Sequence, residues 1–195
     1  MTEKPFAEKA GRSIQLFNGI NIDGWRQAGP GGFRIDNGML VTVGGLGLLW
    51  YSARQFGNFE LEVDWKVTKK NDNSGVFVRF PAPTVPSKPG GDPRAAINQG
   101  YEIQIDDEGA PDGDMIHKTG AIYGVQPPAK IASKQPGDWN TFLIRLEGQI
   151  YNVALNGEPV ITNFKGNRSM RGHIRLQNHS PKDQVFFRNI IATPF

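Results

Sequence analysis

Glu102, Gln104 and Asp106 occupy alternate positions of the string Gly100-Tyr101-Glu102-Ile103-Gln104-Ile105-Asp106. In an extended chain all three leave one face, and Tyr101, Ile103 and Ile105 leave the other. Two carboxylates flanking an amide suit a strand poorly, yet they set hydrogen-bond acceptors and a proton-transfer group along one line. Two further polar sets fall on the same period: Arg79 in the alternating stretch 75–80, and Arg175, Gln177 and His179 in the stretch 173–179. If these strands are neighbours, one sheet face gathers acids, amides, Arg and His, a patch able to move protons and grip hydroxyl groups. The plainer reading is an edge strand whose carboxylates pair with cations on a neighbour.

Strands must position such a patch. Phe59, Leu61, Val63, Trp65 and Val67 alternate with Glu60, Glu62, Asp64 and Lys66, the pattern of a half-buried strand. Residues 141–146, 151–155, 173–177 and 185–192 read the same way. Asn156-Gly157 and Asp36-Asn37-Gly38 are hairpin signals. Helical periodicity is scarce; residues 51–56 are expected to form at most one turn. Many short strands punctuated by Gly, Pro and Asn predict an all-β sandwich. Two long irregular segments, 81–99 (rich in Pro and Gly) and 107–119 (polar and acidic), flank the Glu102 strand and are expected to wall it. The expected organisation is a flexible segment 1–13 followed by one domain, 14–195.

Composition narrows the function classes. The 195 residues include 24 Gly and 14 Pro, and 22 basic against 19 acidic residues leave a net charge of +3. The excess is scattered, so no nucleic-acid partner is expected. No cysteine is present, which excludes disulfides, thiolate metal sites and Cys nucleophiles. No apolar run is long enough to span a bilayer. Residues 1–13 lack the apolar core of a signal peptide; a periplasmic or secreted location is expected, with any leader absent from this chain. No phosphate loop, His-Glu-x-x-His helix or nucleophile elbow occurs.

Several strings, in order, resemble the 3-keto-disaccharide hydrolase family, formerly a domain of unknown function. They are Leu16-Phe17-Asn18-Gly19 with Gly24-Trp25, Asn73-Ser74-Gly75-Val76 with Arg79, the Glu102 string, and Thr119-Gly120-Ala121-Ile122-Tyr123-Gly124. Trp139-Asn140, Leu155-Asn156-Gly157, the stretch 172–179 beginning Gly172-His173 and Phe187-Arg188-Asn189-Ile190 complete the series. The resemblance implies a concanavalin-like jelly roll of two antiparallel sheets that binds carbohydrate, a disaccharide or other glycoside, in a concave groove. Jelly-roll glycanases of the laminarinase type carry Glu-x-Asp-x-Glu on the corresponding strand; here it is Glu102-x-Gln104-x-Asp106. Positions i and i+4 lie about 13 Å apart at ~3.3 Å per residue, whereas paired carboxyls work at roughly 5–9.5 Å, so the two-carboxylate mechanism is in doubt.

The family's name implies another reaction. A ketone at C3 of a sugar acidifies the C2 hydrogen, so one base can expel the C1 substituent by elimination, with water adding afterwards. On that resemblance Glu102 or His179 is the base and Arg79 the cation at the developing enolate. Gln104, Asp106 and Gln177 hold sugar hydroxyls, Tyr123 stacks or donates a hydrogen bond, and His117 and Lys118 reach in from the acidic loop. No cofactor is required. Asp106, Asp107, Glu108, Asp112 and Asp114 could gather oxygen ligands for Ca²⁺, although their spacing is not that of an EF-hand. Trp25, Trp65 and Trp139 read as core or hairpin anchors, Trp50 as a stacking platform. The alternative from a different class is a non-catalytic, lectin-like carbohydrate-binding module, since one fold hosts both.

Overall fold

The computed structural model describes residues 11–83 and 99–195. Their strands are β1 (Ile14–Gln15), β2 (Trp25–Ala28), β3 (Gly32–Asp36), β4 (Met39–Val43), β5 (Gly47–Tyr51), β6 (Phe59–Val67), β7 (Ser74–Phe80) and β8 (Tyr101–Ile105). After a single 3-10 turn at Met115–His117 come β9 (Asn140–Glu147), β10 (Ile150–Leu155), β11 (Glu158–Lys165), β12 (His173–Asn178) and β13 (Val185–Pro194). One antiparallel sheet runs β11-β10-β9-β6-β13-β4-β3, with β1 on β13; the other runs β2-β5-β12-β7-β8. This is the expected jelly-roll sandwich, and no α-helix occurs among the described residues. The turn expected over residues 51–56 is absent: Tyr51 ends β5, and Phe56 exchanges backbone hydrogen bonds with Gly172. Residues 1–10 of the expected flexible segment and residues 84–98 of the expected first wall lie outside the described residues.

The sequence alternation sets the layers. Leu61, Val63 and Trp65 of the larger sheet and Val76, Ile103, Ile174 and Leu176 of the smaller are fully buried in one core. Each such side chain contributes about 1.5–3 kcal/mol by leaving water. Both hairpin signals form turns with the left-handed backbone that Asn and Gly tolerate: Asn37 and Gly38 at φ 48° and 77°, Asn156 and Gly157 at 55° and 84°. Asn156 also accepts a hydrogen bond from Thr141 N and donates to Ala132 O, tying the β10–β11 turn to the start of β9.

One irregularity positions the site. Within β7, Arg79 adopts φ 56°, and the pairing with β12 slips, from Arg175 opposite Phe77 to His173 opposite Phe80. The extra residue is a β-bulge, which reverses the facing of the residues after it. Phe77 and Phe80 therefore share the outer face with Trp50. The neighbouring chain passes close at the bulge: a Cβ on Gly172 would lie 2.4 Å from the Arg79 carbonyl carbon, so only glycine fits there.

Candidate active site

Strand pairing arranges the outer face of the smaller sheet in rungs. Trp50 pairs with Arg175, Arg175 with Phe77, and Phe77 with Glu102. Beyond β8 a strap covers the sheet edge through an Ile103–Ile122 bridge. There Tyr123 N donates to Glu102 O at 3.0 Å, which extends the rung to Tyr123. The next rung carries Leu48 paired with Gln177 and Gly75 paired with Gln104. Of these, Leu48, Phe77, Glu102, Gln104, Tyr123, Arg175 and Gln177 line a groove of about 430 Å³ together with Leu46, Asn73 and His179. A hollow of about 530 Å³ among Arg12, Ser13, Ile14, Arg54 and Pro194 has neither carboxylate nor imidazole in its lining.

Glu102 is the one carboxylate lining the groove among the described residues. Burial pushes its pKa up to about 8, while the positive charge of Arg175 pulls the other way. Burial likewise lowers the pKa of Arg175, to about 10, while Glu102 raises it; the guanidinium stays cationic at neutral pH. Its central carbon lies 3.6 Å from the Phe77 ring centre and 4.7 Å from that of Phe80, a cation–π arrangement. Glu102 Oε1, Gln104 Oε1 and Gln177 Oε1 are buried without a hydrogen-bond partner among the described residues. Orphaned buried acceptors cost about 1–3 kcal/mol each, and these three are free to accept from the hydroxyl groups of a ligand. His179 stands at the rim, its ring half exposed. Its Nδ1 lies 3.1 Å from the Asp183 carboxylate; a carboxylate only accepts, so Nδ1 carries the proton.

Residues 12–192 match the family described as the 3-keto-alpha-glucoside-1,2-lyase-like domain. The chain belongs to this family. A 3-keto-disaccharide hydrolase of Bacteroides thetaiotaomicron is 27% identical, over 91% of this chain and 76% of that protein. Two crystal structures from Parabacteroides distasonis, both named as glycosyl hydrolases, superpose with TM-scores of 0.77 and 0.76. The first is 21% identical and covers 95% of this chain and 94% of its own; the second is 26% identical and covers 94% and 100%. A carbohydrate-binding module from Bacillus subtilis shares the fold at TM-score 0.61 and 13% identity, over 87% of this chain and 95% of that one.

In this 3-keto-glucoside lyase-like domain the groove unites Glu102, Gln104, Tyr123, Gln177 and His179 from the sequence expectations. Arg79 is not in it. The bulge turns its guanidinium inward, where Nε donates to Gly57 O at 2.9 Å, Nη1 to Gly148 O and Nη2 to Gly57 O at 2.7 Å, over the Tyr151 ring. The groove's cation is Arg175, which regular alternation places on this face but to which the sequence assigns no role. Asp106 is also corrected: it is buried, and its carboxylate accepts from Asn73 Nδ2 and from the backbone N–H of Glu108, Gly109 and Ala110 at 2.9–3.0 Å. Those four bonds organise the loop and leave nothing for a sugar.

Lys118 reaches back toward Asp107 O at 3.4 Å and is not among the groove-lining residues. His117 stands behind Tyr123, with ring centres 5.1 Å apart, rather than in the groove lining. With Asp106 engaged and Asp112 accepting from Asp114 N and His117, no group of three His, Asp or Glu residues able to hold a metal forms among the described residues. Gln104 lies on the expected face and is buried there. Trp50 packs in the groove-side cluster with Phe77 and Phe80, only 8% exposed. The sequence assigns no site role to Phe77, nor to Asn73 and Gly75 beyond the family string that contains them; the outward facing of Phe77 and Gly75 is legible by parity alone.

Proposed function

We propose that the groove cleaves 3-keto-glycosides, 3-keto-disaccharides among them, by abstraction of the C2 proton and elimination of the C1 substituent, with water adding afterwards. The observation that carries this reading is a groove carboxylate, Glu102, alone of its kind among the described residues that line the groove and facing a buried guanidinium, Arg175. A two-carboxylate glycosidase needs a second acid, and Asp106, the nearest candidate by strand spacing, is committed to its loop.

Glu102 takes the C2 proton as general base. A carboxyl whose pKa is near 8 is a stronger base, once ionised, than an ordinary one, which suits a weakly acidic C–H. The electron pair moves onto the C3 oxygen, where Arg175, pre-oriented on Phe77, stabilises the enolate. Collapse of the enolate expels the C1 oxygen. Gln104 and Gln177 offer acceptors to ring hydroxyls and hold the sugar across Gly75. The sequence is redox-neutral, so it consumes no cofactor. His179 is the second candidate for the base.

The test compares a 3-keto-glucoside with its parent glucoside. Turnover of the first and little or none of the second is expected, with Glu102→Gln losing about 10²–10⁴-fold and His179→Ala much less. Equal cleavage of both sugars defeats the elimination reading. Binding without cleavage of either makes the chain a carbohydrate-binding module.

A further inference from the structure

We propose that Tyr123 is the proton donor to the departing C1 oxygen, and that the His117–Asp112 pair holds its ring in place. The inference rests on the elimination reading above and assigns the step that reading leaves open. An alkoxide is a poor leaving group, and Glu102 has just taken a proton from C2, so a separate donor lets both bonds break from one bound pose.

The fold puts Tyr123 where that donor is needed. It stands opposite Glu102 across the Ile103–Ile122 bridge; residues directly opposite in an antiparallel pair share a face, so Tyr123 forms the outer wall beside the base. Its side chain lines the groove and is 39% exposed, and its hydroxyl makes no hydrogen bond to the described residues. The ring is backed rather than loose. His117 packs against it at 48° between ring planes, and His117 Nδ1 donates to Asp112 Oδ1 at 2.8 Å. Gly124 N donates to Ile116 O at 3.1 Å, which clamps the two segments together. Burial first, and then the negative charges of Glu102, Asp106 and Asp112, raise the phenol's pKa, so it keeps its proton until an oxygen of higher proton affinity forms.

The protons and electrons balance. The C2–H bond breaks, its proton goes to Glu102, and its electron pair forms the enolate. The C1–O bond breaks with its pair on the leaving oxygen, which takes the phenolic proton and departs as an alcohol. Water then adds at C1: its proton restores the phenol, and the Glu102 proton returns to C2, giving the free 3-keto sugar.

The experiment compares Tyr123→Phe with the parent protein on two 3-keto-glucosides, one carrying 4-nitrophenol and one a simple alkyl alcohol. Nitrophenolate leaves without protonation. The variant is expected to lose about 10²–10⁴-fold in kcat on the alkyl substrate but less than about tenfold on the nitrophenyl one. His117→Phe, which keeps a ring but loses the Asp112 bond, should show the same selective loss to a smaller degree. Equal losses on both substrates, or no loss on the alkyl one, overturn the assignment; the latter is the result expected if Glu102 itself carries the proton from C2 to the leaving oxygen. If the parent protein cleaves neither 3-keto substrate, the elimination reading fails and the donor with it.

Discussion

Glu102 lies over the α-carbon of Gly75: a Cβ built on Gly75 would stand 2.1 Å from Glu102 Oε1 and 2.8 Å from its Cγ. The carboxyl thus extends from β8 across β7 toward Gln177 and Arg175 on β12, and the missing side chain at Gly75 lets it lie there. Gly75→Ala should displace the carboxyl while the strand pairs persist. We expect a turnover loss of at least about tenfold with a circular dichroism spectrum like that of the parent protein; unchanged kcat would show that Glu102 works from another position.

Arg79 and Arg175 should separate by phenotype. Arg79→Met leaves the partly buried Gly57 and Gly148 carbonyls without their donor, at about 1–3 kcal/mol for each unpaired group. Urea unfolding should therefore show a loss of several kcal/mol or no folded protein. Arg175→Met replaces a groove cation by an apolar chain on Phe77 and Phe80. It should fold and lose kcat more than it raises KM.

The pH dependence is set by Glu102. As a base it must be ionised, so kcat/KM should rise toward a limb near pH 8. Arg175 lowers this pKa, so Arg175→Met should move the limb upward. Stability runs the other way. Folding raises the Glu102 pKa from 4.5 to about 8, so between those values the native state holds more protons than the unfolded one. The stabilising contribution is complete below about pH 4.5 and is lost as pH rises through 8. Denaturant unfolding from pH 5 to 9 should show this fall, and Glu102→Gln should remove it.

Asp106→Asn tests the carboxylate reassigned to the loop. An amide has one acceptor oxygen where four donors converge. Amide exchange at Glu108, Gly109 and Ala110 should quicken, with a stability loss of about 1–3 kcal/mol. Loss of sugar affinity without faster exchange would return Asp106 to the groove.

Asp106 was partly readable: an Asp followed by Asp-Glu-Gly is a local signal for a side chain bonding the N–H groups ahead of it. The strand's alternation points to the groove instead, and the fourth donor, Asn73 just before β7, is a long-range contact that no local pattern contains.

The sequence by itself determined the all-β sandwich, both hairpins, the burial of Tyr101, Ile103 and Ile105, and the outward facing of Glu102, Gln104, Arg175 and Gln177. Those features rest on local periodicity and on turn residues with a left-handed backbone, which neighbours along the chain specify. Tertiary structure alone decided that Arg79 points inward, which leaves Arg175 as the groove's cation, because a bulge arises from the register between two strands rather than from either one. It also decided the protonation of Glu102, since desolvation and the opposing charge of Arg175 sum over side chains brought together from three strands and the strap.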